Sequence, residues 1–222
     1  MMKRNLLLIL CLFVLGCSAP PVPDWTYESF NALESYKKSI LEGKTDLAAL
    51  YFRRAVEETK RSGDLKLLGR VYLTRMAMET VLQLPLSEKE YLAVSGVHKD
   101  PENEQFYRLL RGDQDEIETD ALPLPYRSFY AALAGGNEDA ISGIIDRIED
   151  PVSRVIAVAV CDKRRICGER GYRSAVDTAS RQGWKAVLLV YLQKLADDQE
   201  SRGEQEQAVL TRKKLDLLKD AF

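Results

Sequence analysis

A helical period recurs along this chain and is stopped, again and again, by glycine. Ile141, Ile144, Ile145 and Ile148 fall at i, i+3, i+4 and i+7, the spacing that gathers apolar side chains on one face of a helix. Tyr27, Phe30 and Leu33 repeat the stripe in the first segment of the body, as do Leu47, Leu50 and Tyr51 in the second. Gly43, Gly63, Gly112, Gly135 with Gly136, Gly183 and Gly203 stand where these segments should end. Two starts are also legible: Ser87 three residues before Glu90, a capping-box spacing, and Asp100 before Pro101 at a first helical position. From residue 24 onward there is no period-two alternation and no Asn-Gly or Asp-Gly hairpin turn. The expected fold is all-α, about nine or ten helices joined by short turns.

Composition narrows the function classes. An apolar share of 45% over 222 residues suits a chain that buries a core, which excludes disorder and a disulfide-held miniprotein. Acidic side chains number 34 against 32 basic ones, a net charge of -2, so phosphate backbones exert no general attraction and no nucleic-acid partner is expected.

The first residues carry an address. Lys3 and Arg4 precede an unbroken apolar run over residues 6–15, the layout of a secretory signal. As a helix that run is about 15 Å long, half the thickness of a hydrocarbon core, so it is too short to span a membrane. Val14, Leu15, Gly16 and Cys17 resemble the lipobox of bacterial lipoproteins, with Val14 and Leu15 departing from its commonest residues. The resemblance implies cleavage after residue 16 and a Cys17 that carries diacylglycerol and an N-acyl chain. Ser18 stands where an Asp would signal inner-membrane retention, which implies the outer membrane. Pro20, Pro21 and Pro23 make residues 17–24 a short tether, and the folded domain covers residues 25–222.

Within the body, the unit around Gly43 resembles a tetratricopeptide repeat, with Gly43 at the turn and Ala48, Phe52 and Ala55 at the small-large-small positions of the second helix. Gly135 with Ala140 and Gly203 with Ala208 keep the same five-residue spacing, and Gly135 to Gly203 is 68 residues, twice the 34-residue repeat. Leu68, Gly69 and Tyr72 resemble the start of another first helix. Ser39 and Arg212 occupy positions where the repeat expects aromatics. The resemblance implies antiparallel helix pairs, stacked as a solenoid or gathered into an irregular bundle.

Reactive groups are sparse. His98 is the single imidazole in the chain and sits beside Lys99 and Asp100 as a loop residue. Gly43, Lys44 and Thr45 lack the preceding glycine and strand of a phosphate-binding loop. Ser35 and Lys38 have the spacing of a nucleophile pair without its companion motifs. The acidic run Asp113, Asp115, Glu116, Glu118 and Asp120 lacks the central Gly and terminal Glu of a calcium loop. Lys163, Arg164 and Arg165 form the one short basic cluster, read as a solvated turn. With Cys11 removed and Cys17 acylated, Cys161 and Cys167 remain. In an unbroken helix they would lie about 9 Å apart along the axis, beyond the roughly 7 Å that a disulfide spans. The pair is bridged only if the helix breaks between residues 162 and 165, and otherwise stands as two structural thiols.

No catalytic residue, metal site or cofactor is expected. The expectation is a lipid-anchored periplasmic adaptor that binds another cell-envelope protein, as small tetratricopeptide lipoproteins do in secretin assembly, outer-membrane assembly and cell-wall enzyme control. A periplasmic cell-wall hydrolase and a passive structural lipoprotein are the alternatives.

Overall fold

The computed structural model describes residues 24–113 and 117–219. The leader, Cys17 and most of the tether lie outside the described residues, as do Asp115 and Glu116 of the acidic run. The described residues form eleven α-helices and one 3-10 turn, with no strand among them. In chain order the helices are α1 (Asp24–Leu41), α2 (Thr45–Ser62), α3 (Leu65–Val81), α4 (Lys89–Val97), α5 (Pro101–Arg111), α6 (Leu124–Gly135), α7 (Glu138–Ile145), α8 (Pro151–Lys163), α9 (Glu169–Gln182), α10 (Lys185–Ser201) and α11 (Gln205–Lys219). The 3-10 turn (Thr119–Ala121) leads into α6.

Two helices bury apolar residues on several sides, α3 keeping a polar strip at Lys66, Arg70 and Thr74, and therefore lie in the middle. In α8 seven consecutive residues, Val155, Ile156, Ala157, Val158, Ala159, Val160 and Cys161, are all buried. In α3 Leu68, Val71, Tyr72, Leu73, Met76 and Met78 point in several directions and are all buried. The two pack against each other, and the hairpins α1/α2, α6/α7 and α9/α10 close around them. Helix α10 also reaches α1, so a late hairpin packs on the first one. A linear solenoid lets each unit touch only its neighbours. These two central helices need cover from several directions, and the result is a bundle of helix hairpins.

Stops follow the sequence closely. Gly43, Gly63, Gly112, Gly136, Gly183 and Gly203 all take positive φ and each ends a helix. One register differs from expectation. The left-handed cap after α6 is Gly136, at φ 65°, and not Gly135. Five residues beyond Gly136 is the fully buried Ile141, whereas Ala140 is exposed on the first turn of α7, where Asn137 caps its N–H at 2.9 Å. Gly136 to Gly203 is 67 residues, 203 minus 136, so the multiple of 34 is not kept. At the C-terminal hairpin Gly203 makes the turn as expected and Ala208 is buried.

The first hairpin keeps only part of its expected stripes: Leu33 and Tyr51 are half-buried against the core, but the other members are not. Tyr27 and Phe30 are 57% and 61% exposed, and Leu47 and Leu50 also face outward. The buried face of α1 carries Ser29, Ala32, Tyr36 and Ser39, and that of α2 carries Ala48, Ala55 and Thr59. Small residues let the two axes approach, and the hydroxyls of Ser29 and Thr59 bond each other at 2.6 Å across the seam. Bulky residues one step around the helix are displaced to the outside.

Two further local expectations change. Ser87 does not cap α4; its N–H and hydroxyl instead donate to Glu79 at 2.7 and 2.6 Å. The basic cluster is more than a solvated turn, because Lys163 Nζ donates to the carbonyl of Leu110 at 2.9 Å and Arg164 to that of Asp113 at 3.0 Å. Burial of the Lys163 ammonium pulls its pKa down.

Asp100 caps α5 as its position before Pro101 predicts. It accepts the Asn103 N–H at 3.0 Å and the Lys66 ammonium at 2.7 Å, with its side chain only 9% exposed. Burial pushes the carboxyl up, yet Lys66 and the Asn103 N–H outweigh it and hold the pKa below the ordinary carboxylate value. Its contribution is therefore complete above a pH of about 4 and is lost as pH falls through the lowered native value. Asp100→Ala is expected to cost about 1–2 kcal/mol at neutral pH, read from urea midpoints, with the gap to the parent closing in acid. An equal gap at both pH values would contradict this account.

Candidate binding groove

The small-large-small pattern of α2 builds a groove. Ala48 and Ala55 are almost fully buried against α1, while Phe52 between them is half-buried. The Phe52 ring lies 5.1 Å from Tyr36 of α1 and 6.2 Å from Tyr72 of α3, so one aromatic ladder ties three helices. Arg75, one turn beyond Tyr72, lays its guanidinium 5.0 Å from the Phe52 ring and 5.9 Å from the Tyr72 ring.

A carboxylate pair holds that guanidinium in place. Nη2 donates to the carbonyl of Ser87 at 3.1 Å and to Glu90 at 2.8 Å. Nε is 3.6 Å from Glu79 and finds no hydrogen-bond partner among the described residues. Glu90 accepts a hydrogen bond from its own backbone N–H and another from Arg75, which together hold its carboxyl below the usual range. The Tyr36 hydroxyl is pushed far up by burial and by the negative charge of Glu79. Over this floor opens a groove of about 360 Å³ whose walls include Ile40, Ala49, Arg53 and Leu84. Leu84 is 50% exposed and stands at the rim.

The groove pairs apolar side chains with a guanidinium stacked on two aromatic rings. Aromatic and arginine side chains in such a setting dominate the energetics of protein interfaces. The chemistry suits an apolar side chain entering beside a carbonyl or carboxylate acceptor.

Sequence reasoning found Gly43, Ala48, Phe52 and Ala55, and the structure brings all four to this hairpin. Gly43 takes φ 87° at the α1/α2 turn. Arg75, Glu79 and Leu84 were missed. Their one local signal is the i, i+4 spacing of Arg75 and Glu79, which also suits a solvated helix face.

The second candidate site, Cys161 and Cys167, lies at the end of α8. The helix stops at Lys163, and Arg165 takes a left-handed φ of 56°, so the break falls inside the interval that a bridge would require. The chain folds back through a hydrogen bond from the Ile166 N–H to the Cys161 carbonyl, 3.3 Å. Both sulfurs are free thiols in the structure, Cys161 buried and Cys167 half-buried. Their mutual hydrogen bond and burial push the Cys167 thiol well up. A Cβ on Gly171 would lie 2.5 Å from the Cys167 sulfur, so the first turn of α9 rests directly on it. Close by, Asp162 accepts the Tyr172 hydroxyl at 2.6 Å and the Lys194 ammonium at 2.9 Å, which locks α8, α9 and α10 together.

His98 is exposed at the end of α4. Among the described residues no group of three or more His, Cys, Asp or Glu is placed to hold a metal ion, and no helix is long and apolar enough to cross a membrane. No family model, curated protein or solved structure matches the chain. Fold and groove define its class: an all-α bundle of helix hairpins with an open, mixed apolar and cationic cleft.

Proposed function

We propose that this chain is a lipid-anchored adaptor of the outer membrane, facing the periplasm, which binds another cell-envelope protein in the α1–α3 groove. The observation that carries the reading is the Phe52–Arg75 floor: a guanidinium stacked on the Phe52 ring beneath a groove lined by Ile40, Ala49 and Leu84. The lipobox ending at Cys17 supports the address. The partner would present an apolar anchor side chain with an acceptor group beside it, and the protein's work would be binding without catalysis.

Leu84→Asp tests this at the rim without touching the core. A partner recovered in stoichiometric amount from detergent-solubilised envelopes with the parent chain is expected to fall at least about tenfold with the variant, since a charge in a hot-spot position costs more than 1.4 kcal/mol. Equal recovery with both chains would show that the groove is not the contact.

A further inference from the structure

The two large aromatics that the first hairpin leaves outside are confined to one end of one face. Tyr27 and Phe30 are more than half exposed on the first two turns of α1. Continuing along the same face, Asn31, Glu34 and Lys38 are also exposed and are all polar. The face thus changes from aromatic to charged with distance from the start of the helix. Phe30 is six residues beyond Asp24, a rise of about 9 Å, so the aromatic part ends within roughly that depth.

The covalent path says what lies near that end. From Cys17 to Asp24 the chain has seven residue steps, which span at most about 25 Å when fully extended. An acylated Cys17 therefore holds the start of α1 within reach of the bilayer surface. The amphipathic Tyr27 ring suits the headgroup layer, where one side is apolar and the other wet, and the Phe30 ring beside it adds apolar surface for the acyl boundary. Two acidic residues near that end are neutralised by ion pairs, Glu28 by Arg54 and Glu58 by Arg61 at 2.7 Å.

Resting on the lipoprotein reading above, we infer that the first two turns of α1 dock in the headgroup region of the membrane that carries the Cys17 anchor, with Tyr27 and Phe30 inserted. The docked end sets the orientation of the body. Lys38 and the α1/α2 turn at Gly43 stay on the water side, at the far end of α1. The contact is non-ionic, so it is indifferent to the proportion of anionic lipid.

The test uses the full acylated chain reconstituted in vesicles of phosphatidylethanolamine and phosphatidylglycerol, with and without bromine on the acyl chains. Tryptophan is placed at one position per variant, Phe30→Trp or Lys38→Trp, and each is compared with the parent, whose Trp25 and Trp184 contribute equally to all three. Bromine should remove about half of the added emission of Phe30→Trp and almost none of that of Lys38→Trp, at low and high phosphatidylglycerol alike. Equal quenching at both positions, or none at Phe30→Trp, overturns the docking. If Phe30→Trp is unquenched while Tyr27→Ser and Phe30→Ser reduce recovery of the envelope partner, the face belongs to a protein and the membrane assignment fails. Intact mass on the same preparation separates the two levels: an acylated Cys17 with no quenching defeats the docking alone, and an unmodified Cys17 defeats the anchor and the docking together.

Discussion

Changing Cys17 to serine is expected to release the protein from the membrane. Each buried methylene of an acyl chain contributes about 0.8 kcal/mol, one chain alone binds only marginally, and a diacylglycerol with an N-acyl chain is far past that threshold. The body supplies no substitute, since none of the described helices can cross a bilayer and Tyr27 with Phe30 present only two side chains. A serine hydroxyl cannot form the thioether that joins the diacylglycerol. An unacylated precursor would keep residues 1–16, so the variant is best expressed behind a leader that is cleaved without acylation. The measurement is fractionation after a high-salt wash, together with the intact mass of the mature N-terminus. The parent should need detergent for release and carry acyl mass on Cys17; the variant should be soluble and carry none. A variant that still needs detergent, or a parent with an unmodified Cys17, would refute the anchor.

The second large effect is expected at Arg75. Truncation to alanine removes a stacked cation from Phe52 and Tyr72 and leaves Glu79, only 13% exposed, without its opposite charge. Breaking an ion pair that is mostly shielded costs about 3 kcal/mol, the lower part of the range for buried pairs because Arg75 keeps 19% of its side chain exposed. For a chain of this size that corresponds to a fall in Tm of roughly 6–12 °C. Much of the cost is the stranded carboxylate, so Glu79→Gln in the Arg75→Ala background should return about 1–2 kcal/mol, measured as a double-mutant cycle in urea. Arg75→Lys keeps the charge but loses the planar stacking, and should recover only part of the stability. A cost below about 0.5 kcal/mol, or no recovery from the glutamine, would reduce the cluster to a surface pair. The same variant removes the groove's cationic floor, so partner recovery should fall with it.

Much of the fold was open to reading before any coordinates. Helix ends are local events, decided by one residue's backbone freedom, and that is why Gly43, Gly63, Gly112 and Gly183 could be placed correctly and why Asp100 with Pro101 could be read as a start. Ile141 and Ile145 are buried and Ile144 half-buried because a short helix with one apolar face has one way to sit, whereas Ile148 is buried from the turn beyond the helix, which ends at Ile145. Phe52 with Ala48 and Ala55 was legible for a similar reason: a large residue between two small ones describes a close helix crossing.

The errors share a cause. Tyr27, Phe30, Leu47 and Leu50 form good apolar stripes, yet which side of a helix is covered depends on the partner helix, and Ser29, Ala32, Ala48 and Ala55 allow a closer seam than bulky residues do. Ala140 failed by one position because two adjacent glycines, Gly135 and Gly136, offered two registers and only the left-handed backbone at Gly136 selects one. Arg75 and Glu79 carry no local mark in the sequence beyond their i, i+4 spacing, because it is the return of Ser87 and Glu90 that joins them into one cluster.

Local chemistry written in the chain thus determined that it is helical and where most of its helices end, since each depends on neighbours a few residues away. Only the tertiary structure decided that the hairpins close on α3 and α8 rather than extend as a stack, that Cys167 returns to Cys161, and that aromatics lie outside at the start of α1. Those outcomes depend on which surfaces can approach most closely in three dimensions, a competition among distant segments that no local window contains.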